Sequence, residues 1–203
     1  MNSRKVFINC PFDNHYFPLL KPLLFTLIYL DLNPQISETS DCGKVRLNKI
    51  NRIMRKSSFS IHDLSRMEPL KKGDLPRFNM PFECGIDFGM KNSGRKSLLK
   101  KKLLILEKKR FRYQKVISDI SGNDIKSHGN RPEKLVKAVR DWFSLNLGSA
   151  FYSTEIWLAY NEFTSDYEDV SRSKGYDPND ISSFTFKDVI NNMTTWIDTY
   201  KTK

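Results

Sequence analysis

Two carboxylates four residues apart, Glu83 and Asp87, follow the segment Arg77-Phe78-Asn79-Met80-Pro81-Phe82, and a third, Asp63, closes the run Ser60-Ile61-His62. A carboxylate beside a ribose is suited to cleaving an N-glycosidic bond, because the transition state carries oxocarbenium charge that a fixed anion stabilises. The anion can remain electrostatic or attack covalently. Glu83 falls where a helix is expected to begin, so the dipole and free amides of a first turn should hold it ionised. Asp87, one turn on, should raise the proton affinity of Glu83 modestly. The plainer alternatives are that Glu83 is only a favourable first-turn acid and that Asp63 caps a turn or a helix.

Other reactive residue types carry less. His15, His62 and His128 stand in no HExxH or triad-like context and read as surface or core histidines. Cys10, Cys42 and Cys84 are odd in number, far apart and without CxxC spacing, which argues against a disulfide framework and a zinc ribbon. Gly85 and Gly89 match neither a dinucleotide fingerprint nor a P-loop and read as packing positions. No metal and no cofactor are assigned.

The elements that must position these groups follow from periodicity. Residues 6–10 and 59–63 are β-rich runs, residues 33–37 a third strand candidate, and residues 103–106 a buried central strand with charged flanks. Between them, residues 16–30, 44–56 and 80–91 carry helical patterns, with Pro81 suited to a first helical position. Pro18 and Pro22 predict an irregular first turn in the first helix. Residues 64–77 form a long loop, residues 111–120 a short helix, residues 122–130 a loop, and residues 132–147 a clear helix. Strands alternating with helices predict an α/β fold, a parallel sheet with helices on both faces. Beyond Gly148 the chain turns to aromatic-rich helical patterns, so the expected division is an α/β domain over residues 1–148 and a helical C-terminal appendage over residues 149–203.

In open α/β sheets ligands settle beyond the carboxyl ends of the strands. Asn9, Pro11, Phe12 and Asp13 follow the first strand, Asp63, Ser65 and Arg66 the third, and Glu83 the next helix start. For a glycosidase acting on a nucleotide, Asp63 or Asp13 would be expected to hold ribose hydroxyls, and Arg66, Arg77 or Asn79 to meet phosphate.

The net charge of +11 is uneven: residues 150–203 hold five basic and nine acidic side chains, residues 1–149 hold 29 and 14. Such a field draws an anionic partner. The dense run from Lys96 to Arg112, including Lys100, Lys101 and Lys102, reads first as a solvated rim. Nucleic acid is the weakest partner, since only Phe111 and Tyr113 could stack within that run. No long apolar segment suggests a membrane span, and a cytoplasmic location is expected.

The segments Val6 to Asp13, Ser60 to Arg66 and Arg77 to Lys91, the last containing Arg-Phe-Asn-Met-Pro-Phe-Glu-Cys-Gly, resemble bacterial TIR-like and nucleoside 2-deoxyribosyltransferase-like proteins, up to about residue 145. That resemblance implies a flavodoxin-like sheet, a nucleotide pocket and a central catalytic glutamate at Glu83. In enzymatic TIR-like members this glutamate serves cleavage of NAD between nicotinamide and ribose, sometimes with cyclisation and often in antiviral defence. In the transferases it is the nucleophile. The expected activity is therefore that of an NAD glycohydrolase, with NAD as substrate and Asp87 among the residues lining its site. A nucleoside deoxyribosyltransferase or a non-catalytic nucleotide sensor is the alternative, and self-association through the C-terminal helices is expected.

Overall fold

The computed structural model describes residues 2–37, 45–69, 71–148, 150–173, 175 and 185–202. Five strands, β1 (Asn2–Asn9), β2 (Asn33–Gln35), β3 (Ser57–Asp63), β4 (Lys102–Glu107) and β5 (Lys126–Ser127), form one all-parallel sheet in the order β2-β1-β3-β4-β5. Seven helices are described: α1 (Phe17–Tyr29), α2 (Arg46–Lys56), α3 (Asn79–Lys91), α4 (Lys96–Leu99), α5 (Pro132–Leu147), α6 (Ser153–Ser173) and α7 (Phe186–Tyr200).

Alternation along the central strands divides the molecule into two unlike faces. Val6 and Ile8 of β1, Phe59 and Ile61 of β3, and Leu104 and Leu106 of β4 join the large apolar cluster built on α1 and α5. The intervening residues point the other way: Phe7 meets Ile50 and Met54 of α2, and Ile105 meets Met80 and Cys84 of α3. On that second face β3 carries Ser60 and His62, both fully buried. Along the strands the α1 face is thus apolar up to Asp63 at the end of β3, while the other face carries polar groups within the strands that need partners inside the protein.

Helix α1 runs through Pro22, which lies inside it with Leu20, Leu23 and Leu24 completely buried around it. Burial of such side chains is worth about 1.5–3 kcal/mol each and outweighs the single backbone bond that proline forfeits. Thr26 Oγ1 donates to the Pro22 carbonyl at 2.7 Å.

The C-terminal helices share this core. Ile156, Ala159 and Phe163 of α6 and Met193 and Ile197 of α7 belong to the same cluster as the inward face of α1. Phe25 of α1 lies 5.5 Å from Tyr160, 5.6 Å from Phe163 and 5.9 Å from Trp196, ring centre to ring centre. Helices α6 and α7 therefore form a further layer over α1.

Two local expectations fail. The helix expected over residues 111–120 is a pair of 3-10 turns, Arg112–Lys115 and Ser118–Ile120, in which Tyr113, Ile117 and Ile120 are drawn onto Ile105 and Cys84. The loop expected over residues 122–130 contains β5, whose two paired residues, Lys126 and Ser127, are too few to show any period. No helix among the described residues is long and apolar enough to cross a membrane.

Candidate functional site at the sheet's carboxyl edge

The strand order reverses direction between β1 and β3, and their chains leave toward opposite faces, β1 into α1 and β3 into α3. Such a divergence is where open α/β sheets form a ligand crevice, and here it falls beyond the paired ends Asn9 and His62. Pro11, just after β1, is buried. Phe12 turns aside to meet Phe186 of α7, ring centres 5.7 Å apart. Asp13 joins the two loops: its Oδ1 accepts from the amides of His15 and Tyr16 at 3.1 and 3.2 Å, and its Oδ2 lies 3.3 Å from Arg66 and 3.5 Å from Arg77.

Asp63 ends β3 on the α1 face and is completely buried. It accepts from Tyr16 Oη at 2.5 Å, from the Ser65 amide at 2.8 Å and from the Ser65 hydroxyl, with His128 Nε2 at 3.0 Å. Burial alone would raise its pKa, but the His128 and Ser65 contacts outweigh it and hold the carboxyl below its ordinary range. Burial foremost, with Asp63 beside it, pushes the Tyr16 phenol well up. Ser65, His128 and Asp63 do not compose a nucleophilic triad. His128 Nδ1 accepts from the Asn130 amide at 3.1 Å, which places the ring proton on Nε2, the same atom that faces both Ser65 and Asp63. No lone pair remains to take the Ser65 proton.

The opposite face holds a second buried chain of polar groups. Asn9 Nδ2 donates to the Met80 carbonyl at 2.9 Å and to His62 Nδ1 at 3.0 Å. His62 Nε2 then lies 3.1 Å from Asp87 Oδ2. Lys101 Nζ lies 2.5 Å from Asp87 Oδ1 and donates to the Met54 carbonyl at 2.7 Å. For Asp87, burial would raise the pKa, yet the His62 hydrogen bond and the Lys101 charge bring it below the usual carboxylate range. Burial lowers the Lys101 pKa despite Asp87. Asp87 is therefore an interior ion-pair partner with no exposed surface. Lys101, read from sequence as part of a solvated rim, is buried with it.

Glu83 sits on α3 between these anchors, three residues after Met80 and four before Asp87. Its environment reverses the sequence expectation. The Phe82 amide already bonds to the Phe78 carbonyl at 3.0 Å, so α3 starts at Asn79, its first turn has no acid, and Glu83 is its fifth residue. Pro81 is correspondingly third, where its missing amide costs no helical bond. Glu83 is half-buried, and burial raises its pKa, with Arg46 at the start of α2 pulling the other way. Asp87 does not contribute to that shift. No hydrogen bond or ion pair joins Glu83 to a described residue. Burial first, then the charges of Asp63, Asp13 and Glu83, push up the thiol of the buried Cys10.

No family model, curated protein or solved structure matches this chain.

Arg77 and Asn79 are exposed on the rim ahead of Glu83. Beside Arg66 and Ser65 the rim also holds a cavity of about 110 Å³, bordered by His15, Tyr16 and Lys108. Elsewhere, a larger hollow of about 430 Å³ lies among the aromatic residues of α1, α6 and α7. Among the described residues no group of three His, Cys, Asp or Glu is arranged to hold a metal ion. The sequence gives Tyr16 no role in the site and shows Lys101 and Lys108 only as members of a charged run. A tyrosine at a helix entrance and a lysine within a lysine run carry no local sign of what they will touch.

Proposed function

We propose that the chain is an N-glycosidase acting on NAD or a related nucleotide, with Glu83 as its central carboxylate. One observation carries this reading: Glu83 is half-buried at the carboxyl edge of the sheet, yet has no bonding partner among the described residues. The neighbouring acids Asp13, Asp63 and Asp87 are all engaged. A partly desolvated anion without a protein partner is matched to positive charge that arises only during reaction. The flavodoxin-like strand order supports the same location for a nucleotide.

In this mechanism the bond from ribose C1′ to the nicotinamide nitrogen breaks and its electron pair leaves with the base. A Glu83 oxygen stabilises or captures C1′. Water then adds at C1′, and its proton passes, directly or by way of the carboxylate, to solvent, which leaves the glutamate ionised again. Asp13, held by Arg66 and Arg77, keeps the two loops closed around the sugar.

Incubation of the purified chain with NAD and a panel of nucleosides, with released bases separated by chromatography, tests the proposal. Nicotinamide release that is abolished in Glu83→Gln is expected. Its log rate should rise with pH through an ionisation above the ~4.3 of free glutamate. Equal turnover in the variant would remove Glu83 from the mechanism. Tight binding without turnover would make the protein a nucleotide sensor.

A further inference from the structure

We infer that the 110 Å³ rim cavity between the first loop, the β3–α3 loop and the loop after β4 is an oxyanion subsite that takes a phosphoryl group. Its size is the first argument. It is roughly four times the ~30 Å³ share of a liquid water and well under the ~300 Å³ of a pocket for a whole ligand, so it suits one small group.

The balance of donors is the second. Lys108 lines the cavity half-buried, and its ammonium has no hydrogen bond or ion pair to a described residue. Arg66 also lines it and has a single partner, one guanidinium nitrogen lying 3.3 Å from Asp13, which leaves donors of its fork to spare. The His15 imidazole, on the same wall, has no described partner either. The acid on that wall, Glu68, is already taken: Arg112 lies 2.7 Å and Lys109 3.3 Å from it. Asp63, behind Ser65, has both oxygens occupied by Tyr16, Ser65 and His128. What remains free to a ligand is cationic, within a segment that carries 29 basic and 14 acidic side chains.

The floor is the third. Ser65 and Tyr16 are fixed by their bonds to the buried Asp63, so the wall beneath the cations is set before a ligand arrives. A phosphoryl group bound there would touch Arg66, whose partner Asp13 belongs to the loop that follows β1. The same chemistry could come from free phosphate or from the 5′-phosphate of a nucleotide. Only the second source rests on the proposed glycosidase.

Calorimetric titration of the full chain at low salt with inorganic phosphate, a nucleoside and its 5′-monophosphate tests the inference. Saturable phosphate binding is expected, weakened at least about tenfold in Lys108→Met and largely restored in Lys108→Arg. A 5′-monophosphate that binds more tightly than both phosphate and the nucleoside would identify a nucleotide as the source. Equal affinity for phosphate and monophosphate would identify the free ion. Absence of phosphate binding, or wild-type affinity in a Lys108→Met protein with an unchanged melting temperature, would overturn the subsite. Glu83→Gln should bind phosphate normally, so loss of glycosidase activity and loss of the subsite are separate results.

Discussion

The Asn9 side chain donates to the main-chain carbonyl of Met80 across 2.9 Å, tying the end of β1 to the first turn of α3. Its second amide hydrogen goes to His62, so one buried carboxamide fixes both strands of the crevice relative to the helix that carries Glu83. Together with Asp87 one turn beyond, it brackets Glu83 along α3.

Replacing Asn9 with Ala leaves the Met80 carbonyl and His62 Nδ1 without their donor in a buried place. A loss of about 1–3 kcal/mol in denaturant unfolding is expected. In the proposed reaction kcat should fall more than KM rises, since the helix shifts while the nucleotide contacts remain. A stability equal to wild type would show that water replaces the carboxamide.

The Lys101–Asp87 pair should behave as a buried ion pair, costly to break and cheap to remove whole. Lys101→Met alone strands a buried carboxylate and is expected to cost about 3–5 kcal/mol. Lys101→Met combined with Asp87→Leu should recover much of that loss, because no charge is left in the interior. A double variant as unstable as the sum of both single variants would contradict this account.

Glu83 and Asp63 should have opposite effects on stability as pH changes. The folded-state pKa of Glu83 is raised, so its contribution is fully present below the ordinary glutamate range and is lost as pH rises through the raised value. Glu83→Gln should therefore melt above wild type at neutral pH, with the gap closing near pH ~4. A variant that melts lower at neutral pH would mean that the carboxylate has a stabilising partner.

Asp63 has the reverse sign. Its folded-state pKa is lowered, so its contribution is present above the unfolded value of ~3.9 and is lost as pH falls through the lower folded value. Asp63→Asn should be less stable than wild type at neutral pH, and part of that difference should disappear in acid titrations monitored by circular dichroism. A gap that stays constant down to the acid transition would assign the whole effect to lost hydrogen-bond geometry.

Much of the architecture was legible in the chain because its signals are local. The apolar run Leu104-Ile105-Leu106 between charged flanks marks a strand buried on both faces, and the stripe Leu135, Val136, Val139 and Phe143 marks α5. Asn9, Asp13, Asp63, Ser65 and Arg66 could be placed at one edge because a parallel sheet puts every strand's carboxyl end on the same side. The state of Glu83 could not be read in this way. Its distance from the helix start depends on where Phe78 begins the turn, and its desolvation depends on elements distant in sequence.

Sequence alone determined the alternation of strands and helices, the uneven charge and the residue types available at the carboxyl edge, since periodicity, composition and order are properties of neighbouring residues. Tertiary structure decided which acids are spent and which is free. Asp87 is ion-paired with Lys101 and bonded to His62, Asp63 is hydrogen-bonded by Tyr16, Ser65 and His128, and Glu83 is bonded to no described residue. Those pairings join residues up to 65 positions apart, and a carboxylate's charge and proton affinity are set by what surrounds it in space.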